Sequence, residues 1–443
     1  MALVQLIIGT IMGFSGITLL ELTSQDSQDI RLNPTQAALY SSTVNIGAAV
    51  GCLVGGAVLV RLGHRVTLLV TLPVTAALWL LLSFSPSAWV LLTSRSLLGA
   101  AAGVMSSGSS PYVIEIAHKS NRGSLVGLTT LARQMGVFLV SALGGLKFDW
   151  RQMGFVFCGV SVIPFIGLFL LPNSPRWLVV LGRVSEAEKA LTFFRGKHYD
   201  SKTELMSMKE EVEGSDKTKT TVWQQLGGLL EPSTCRIFCW LAFLNILVAF
   251  NGCLVLASYL VPIFKVAQTD IDAYTCAMIF SFFRVVGSVV YIFIVDRLGR
   301  KPLIIVSYSV AAVSMAVFGG YFYLQTTGSA DTLGWLPVTV AVIFIFFAGI
   351  GQPVFSVLAG ELMPISSRSV GYSFQLLIVM LGSFISVQLY PSAVEAVGED
   401  LVFWFFSGIC VTITIVSAVA LPETKGRSLE EITGQVNNQV ATI

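Results

Sequence analysis

Apolar runs alternate with short polar breaks along almost the whole chain, and one long polar stretch, Pro172 to Arg236, interrupts them in the middle. That stretch holds ten of the 27 Lys and Arg residues and nine of the 25 Asp and Glu. A helix crosses the hydrocarbon of a bilayer with about 20 predominantly apolar residues, and the apolar runs match that length. They predict spans near 3–20, 40–60, 67–84, 89–115, 123–143 and 153–171, then near 237–260, 273–295, 303–324, 335–360, 369–390 and 401–420. These are numbered spans 1 to 12. The expectation is an all-α membrane protein with a six-helix bundle over 1–172, a polar linker with short helices over 173–236, a second six-helix bundle over 237–421 and a polar tail over 422–443.

Composition strengthens this reading. The 443 residues are 54% apolar and only 12% charged, with a mean hydropathy of +0.78. A soluble domain carries roughly a quarter charged residues, so this chain has too few to cover a water-facing surface. The placement of the charges says more than the net charge of +2, which gives no reason to expect nucleic acid. With the N-terminus inside, 20 of the 27 basic residues fall in cytoplasmic loops and tails. Only Arg31, Lys147, Arg151 and Lys265 fall outside, and Arg95, Arg133 and Arg284 lie within spans. The bias predicts a multi-pass membrane protein with both termini and the linker cytoplasmic. The first twenty residues lack the basic start and small-residue cleavage site of a signal peptide, so they read as span 1.

Several chemistries are not expected. The seven cysteines lie in or at the ends of apolar segments, with no CxxC pair or His partner to suggest a metal or redox cofactor. The chain has no GxxxxGK[ST] phosphate loop and no nucleophile–base constellation, which argues against an ATP-driven pump and against an enzyme.

The two apolar halves echo each other. Arg61-Leu-Gly-His-Arg65 after span 2 recurs as Arg297-Leu-Gly-Arg-Lys301 after span 8. Glu115 with Arg122 recurs as Glu361 with Arg368 at the same spacing. Pro172-Asn-Ser-Pro-Arg176 closes span 6, and Pro422-Glu-Thr-Lys-Gly-Arg427 closes span 12. Three echoes in one order indicate duplicated halves, the plan of parallel six-helix repeats about an axis along the membrane normal.

On these stretches, together with Arg95 to Gly103, Pro111-Tyr-Val-Ile-Glu115, Gly182-Arg-Val-Ser-Glu-Ala187, Asp296-Arg-Leu-Gly-Arg-Lys301 and Leu421 to Ile432, the chain resembles the sugar porter family of the major facilitator superfamily. Within it, the chain is most similar to the insect facilitated trehalose transporter-like group. The resemblance implies the major facilitator fold and facilitated diffusion of a hexose or trehalose by alternating access. It implies as partners a small-molecule substrate and the lipid bilayer, with the protein expected as a monomer. It also implies a gate of paired charges, carried onto Arg61, Arg65, Glu115, Arg122, Asp296, Arg297, Arg300, Glu361, Arg368, Glu423 and Arg427. Two positions depart from the family pattern: Val60 and Asn173 stand where acidic residues are usual, so part of the first-half network must be missing or rebuilt.

The substrate site should lie midway across the bilayer between the halves. A buried sugar hydroxyl must regain the hydrogen bonds it loses from water, so amides and hydroxyls are the expected ligands. Where the family supplies Gln, Asn and Trp, this chain has Thr130, Val248-Ala249, Leu254, Arg284, Ser356 and Val379-Met380. The candidates that remain are Thr130, Arg133, Gln134, Asn251, Ser258, Arg284, Ser356 and Ser383. Arg133 lies about 16 Å past Arg122 along span 5, and Arg284 about 18 Å before Asp296 along span 8, at 1.5 Å per residue. Both therefore sit near the midplane, where an Arg costs about 2.5–3.5 kcal/mol and needs a partner or a watery cavity. They raise the alternative of an organic-anion carrier, against a purely structural role bonding backbone carbonyls and Ser or Gln. Loss of the usual sugar ligands raises a third reading, a nutrient sensor that binds without transporting.

Overall fold

The computed structural model describes residues 1–24, 30–116, 122–196, 204–206, 208–210, 231–328, 333–362 and 368–421. Among them the chain is helical, without a strand. Ten helices are long and apolar enough to cross a membrane, and they coincide with spans 1–4, 6 and 8–12. Span 5, Arg122–Gly145, is helical as expected, but Thr129, Thr130, Arg133 and Gln134 make its middle more polar.

Spans 2 and 3 are two helices, as expected, but the break between them is a single residue within Pro34–Ser83. Gly63 makes it, with a non-helical, left-handed φ of 75°. A Cβ there would come 2.9 Å from the ring of Trp177, so the break and the seat of the linker share one residue. One expectation is corrected, that for span 7, which was read as a single helix ending near 260. It is instead three pieces, Pro232–Ala249, Cys253–Ser258 and Leu260–Val266. Gly252 makes the break with φ 82°, packed against the Phe406 ring of span 12. The side chain of Asn251 caps the second piece by accepting from Cys253 N at 2.8 Å.

Within the first half, span 1 packs on span 5, and spans 2 and 3 together pack on spans 4 and 6. In this core Phe14 meets Trp79 and Phe157 edge-to-face, and those two rings meet at a tilt. In the second half, span 9 packs on spans 10 and 12, span 8 on span 10, and span 7 on span 11. The halves meet where span 11 lies on the spans 2–3 segment, span 8 on span 5, and the upper pieces of span 7 on span 1. Large apolar side chains cover the outside, among them Leu53, Phe169, Phe293, Val313 and Val419. Such a surface is stable in lipid and would aggregate in water.

The linker carries helices Pro175–Val180 and Val184–Arg195. They close a small separate core of Leu178, Val179, Ala187, Ala190 and Leu191, joined by Leu205. Arg195 fastens it to the first bundle, donating to the Ile116 carbonyl at 2.8 Å while pairing with Glu204 at 2.8 Å.

Candidate functional site

Three levels of the molecule bear on function: the end where the basic repeats lie, the opposite end, and the middle. At the basic end, Glu115 occupies the last turns of the span 4 helix, Ala88–Ile116, beyond its membrane-crossing stretch Ala88–Ser109. Among the described residues it is hydrogen-bonded by a histidine and a serine. His64 Nε2 stands 3.4 Å from its Oε2, and the hydroxyl of Ser174 donates a short hydrogen bond to the same oxygen. Burial pushes the Glu115 carboxyl up, but the bonds from His64 and Ser174 and the charges of His64 and Arg176 outweigh it and hold it below its ordinary value. The rebuilt contact thus lies inside the first bundle and uses a histidine that sequence reasoning passed over.

The remaining gate candidates divide clearly. Arg65 donates to the carbonyls of Leu168 and Phe169 at 3.1 and 3.0 Å, capping the C-terminal end of span 6. Arg61 and Arg297 are exposed, and Arg300 is half-buried at the start of span 9. The side chains of Arg122, Asp296, Glu361 and Arg368, and the whole of Glu423 and Arg427, lie outside the described residues.

Toward the opposite end the halves close on each other. Ser42 of span 2 donates to Gln388 Oε1 of span 11 at 2.5 Å. The hydroxyls of Ser141 in span 5 and Ser281 in span 8 meet at 2.7 Å. Gly16 of span 1 lies so near span 7 that a Cβ would fall 2.0 Å from the Ala257 carbonyl oxygen. Each of these residues sits in the part of its helix nearer that end.

In the middle, the predicted site residues have different fates. Arg133 directs both Nε and Nη2 at Oε1 of Gln5, at 2.9 and 2.7 Å. Gln5 in turn donates to the Ser109 hydroxyl at 2.8 Å. Arg133 therefore ties span 5 to span 1 and, through Gln5, to span 4. The Asn251 amide holds the break in span 7 and reaches Tyr308 OH at 3.5 Å. Ser258 and Ser383 are buried in spans 7 and 11. Thr130 is half-buried, and the Ser356 side chain lies outside the described residues.

Gln134 and Arg284 remain. Among the described residues, the buried Oε1 of Gln134 has no hydrogen-bond partner. Arg284 is half-buried and makes no hydrogen bond or ion pair among the described residues, though it acts electrostatically on Cys253 at the break in span 7. Cys253 points its thiol at Gln352 Oε1 of span 10, 3.9 Å away. Gln5 and Cys253 were the residues that sequence reasoning missed. Gln5 had a signal in principle, since a glutamine in an apolar span requires a partner.

A family model described as "Sugar (and other) transporter" matches residues 5–435. Among curated relatives, the facilitated trehalose transporter Tret1-2 homolog of Drosophila simulans is 27% identical, with 99% of this chain and 90% of that protein covered. The facilitated trehalose transporter Tret1 of Apis mellifera ligustica is 27% identical, covering 97% of this chain and 86% of that one. The chain spans about half the length of several Drosophila relatives, as with Tret1 of Drosophila willistoni at 28% identity and 50% of its length. Among solved structures, the inward-open xylose transporter XylE from E. coli superposes with a TM-score of 0.81 at 20% identity, over 98% of this chain and 97% of that one. The proton:xylose symporter XylE bound to 6-bromo-6-deoxy-D-glucose gives 0.78 at 22% identity, over 98% of each. These likenesses fix the fold as that of the major facilitator superfamily.

Proposed function

Because the chain belongs to the sugar (and other) transporter family, we propose that it carries a sugar, a hexose or trehalose, across a membrane by facilitated diffusion with alternating access. The relatives named for trehalose support that substrate class. In this reading the basic end faces the cytoplasm of a plasma-membrane protein, with both termini inside. The two bundles rock about a mid-depth site, and the linker braces them. The observation that carries it is a set of contacts by which the halves close on each other at one end: Ser42–Gln388, Ser141–Ser281 and Gly16–Ala257. A closed end with unpartnered polar groups beneath it is what one state of a rocking carrier requires.

Facilitated diffusion is the simplest mechanism for this sequence. Span 1 has no Asp or Glu before Glu21, which lies at its far end, so no mid-depth carboxyl in that span is available to load a proton. The test is uptake of labelled glucose and trehalose by the purified protein in liposomes, with and without a pH gradient. Saturable uptake that ignores the gradient supports the proposal. Uptake that needs the gradient replaces facilitated diffusion with proton coupling, and absence of any uptake by folded protein favours the sensor.

A further inference from the structure

The chain places three arginines inside spans, and they are satisfied to different degrees. Arg95 is fully buried, donates to the Ile11 carbonyl at 2.8 Å and is covered by the rings of Phe14 and Tyr40 at 5.5 and 5.4 Å. Arg133 is held by Gln5. Arg284 has neither kind of support among the described residues.

The direction of Arg284 follows from its helix. On span 8, Ala277, Phe280, Ser281, Gly287, Ser288 and Tyr291 lie three, four or seven residues away, on the same face, and all are buried. The lipid-facing side is marked by Phe282, Phe283 and Phe293, which are exposed. Arg284 therefore stands on the protein-facing stripe, yet it alone on that stripe keeps part of its surface open. A half-exposed guanidinium on an inward face opens onto space between the helices, the condition under which a mid-membrane arginine is tolerated.

What shares that space is set by the antiparallel register of spans 5 and 8. Gly127 packs on Ile292, Phe138 on Phe282 at 5.9 Å, and Ser141 on Ser281. Gln134 and Arg284 both fall between the first two of these contacts, so they lie at the same depth. Gln134 contributes an acceptor with no partner among the described residues. Across from them, Gln352 is engaged through Oε1 by the Cys253 thiol, which turns its amide N–H2 group away from that contact.

The charge is also uncompensated in the primary structure. Spans 5, 7, 8 and 10 contain no Asp or Glu between their ends. A fixed cation beside one free amide acceptor and one amide donor suits a solute that brings hydroxyls and a single negative group.

We infer that Arg284 sets the substrate class of this carrier as acidic sugars, those bearing a carboxylate or a phosphate, with Gln134 and Gln352 taking hydroxyls. This rests on the reading above that the chain carries a sugar by alternating access, and it assigns the sugar's class as acidic in place of the neutral hexose or trehalose. The guanidinium takes the anionic group in a two-point hydrogen bond that a neutral hexose cannot offer. Movement of such a solute by facilitated diffusion carries net charge, so its uptake responds to membrane potential.

The experiment compares uptake of glucose, glucuronate and glucose 6-phosphate into liposomes holding the wild-type protein or Arg284→Gln. A potassium diffusion potential of either sign is imposed, and binding of each solute is measured in detergent. The wild type is expected to prefer an acidic sugar, with uptake raised by an inside-positive potential. In Arg284→Gln the ratio of acidic to neutral uptake and binding falls on the order of ten- to a hundred-fold. Preference for glucuronate alone or for the phosphate alone assigns the anionic group. Glucose uptake with no acidic-sugar uptake, and a ratio unchanged by the substitution, overturns the inference while the transport reading stands. If none of the three solutes binds or moves with the folded wild type, both are overturned.

Discussion

Nε2 of His64 stands 3.4 Å from Oε2 of Glu115, while Nδ1 of the same ring stands 3.0 Å from the carbonyl oxygen of Gly108. Both ring nitrogens therefore face oxygen atoms. The pair bridges the Gly63 bend to the end of span 4, and Ser174 joins it to the linker helix Pro175–Val180 through Glu115. One carboxylate thus couples three segments whose positions change together if the first bundle moves as a unit.

His64→Ala should lower the stability of the detergent-solubilised protein by about 1–3 kcal/mol, because a largely buried carboxylate loses a hydrogen-bonding partner. Ser174→Ala should cost less, since His64 and Arg176 remain. Thermal melts of the two variants check the order. Equal melting of all three proteins would mean that the contact contributes nothing.

The same contact predicts a pH dependence with a definite sign. The Glu115 carboxyl is held below its ordinary value of 4.5 in the folded protein. A carboxyl depressed by folding contributes fully above its unfolded value and loses that contribution as pH falls through its lower folded value. The melting-temperature gap between wild type and Glu115→Gln should therefore be constant from pH 7 down to about 4.5 and shrink below it. A gap that widens on acidification would contradict the assignment.

Gln5 lies 128 residues from Arg133, and its loss should be felt by span 5. Gln5→Leu removes the acceptor for two guanidinium bonds and is expected to cost about 1.5–3 kcal/mol. Gln5→Glu keeps the acceptor and adds a charge complementary to Arg133, so it should retain stability. Melts of both variants, with uptake beside them, separate a structural tie from a substrate ligand.

What the sequence disclosed and what it hid follow a physical division. Hydropathy runs of membrane length revealed the spans, and the paired polar motifs pointed to duplicated halves, because both are local patterns. Counting 1.5 Å per residue placed Arg133 and Arg284 near mid-depth. The break in span 7 was not legible: it rests on one left-handed glycine and one asparagine whose amide could as well have faced a ligand. The roles of Gln5 and His64 were hidden for a different reason. Their partners lie in other helices, at separations that no window along the chain connects. Gln134 and Arg284 were visible as candidates, but only packing could tell that Arg133 is tied and Arg284 is not.

Gly16 gives a steric handle on the closed end. A Cβ at this position meets the Ala257 carbonyl oxygen of the other half at 2.0 Å. Gly16→Val should hold that end apart and cut uptake at least ten-fold, about 1.4 kcal/mol or more of added barrier. Ligand binding measured in detergent should persist, because the obstruction lies above the mid-depth site. Loss of binding together with uptake would indicate a folding defect instead.

The most direct test of alternating access uses Ser141 and Ser281, whose hydroxyl oxygens meet at 2.7 Å across the two halves. Replacing both with cysteine puts two thiols within reach of a disulfide in the closed-end state. Uptake of labelled sugar into liposomes is then measured for the double variant after oxidation and again after reduction, with each single variant as control. The account predicts that the oxidised double variant stops transporting and recovers on reduction, because a carrier pinned in one state cannot complete its cycle. Full cross-linking with undiminished uptake would show that these helices need not separate, and would contradict the account.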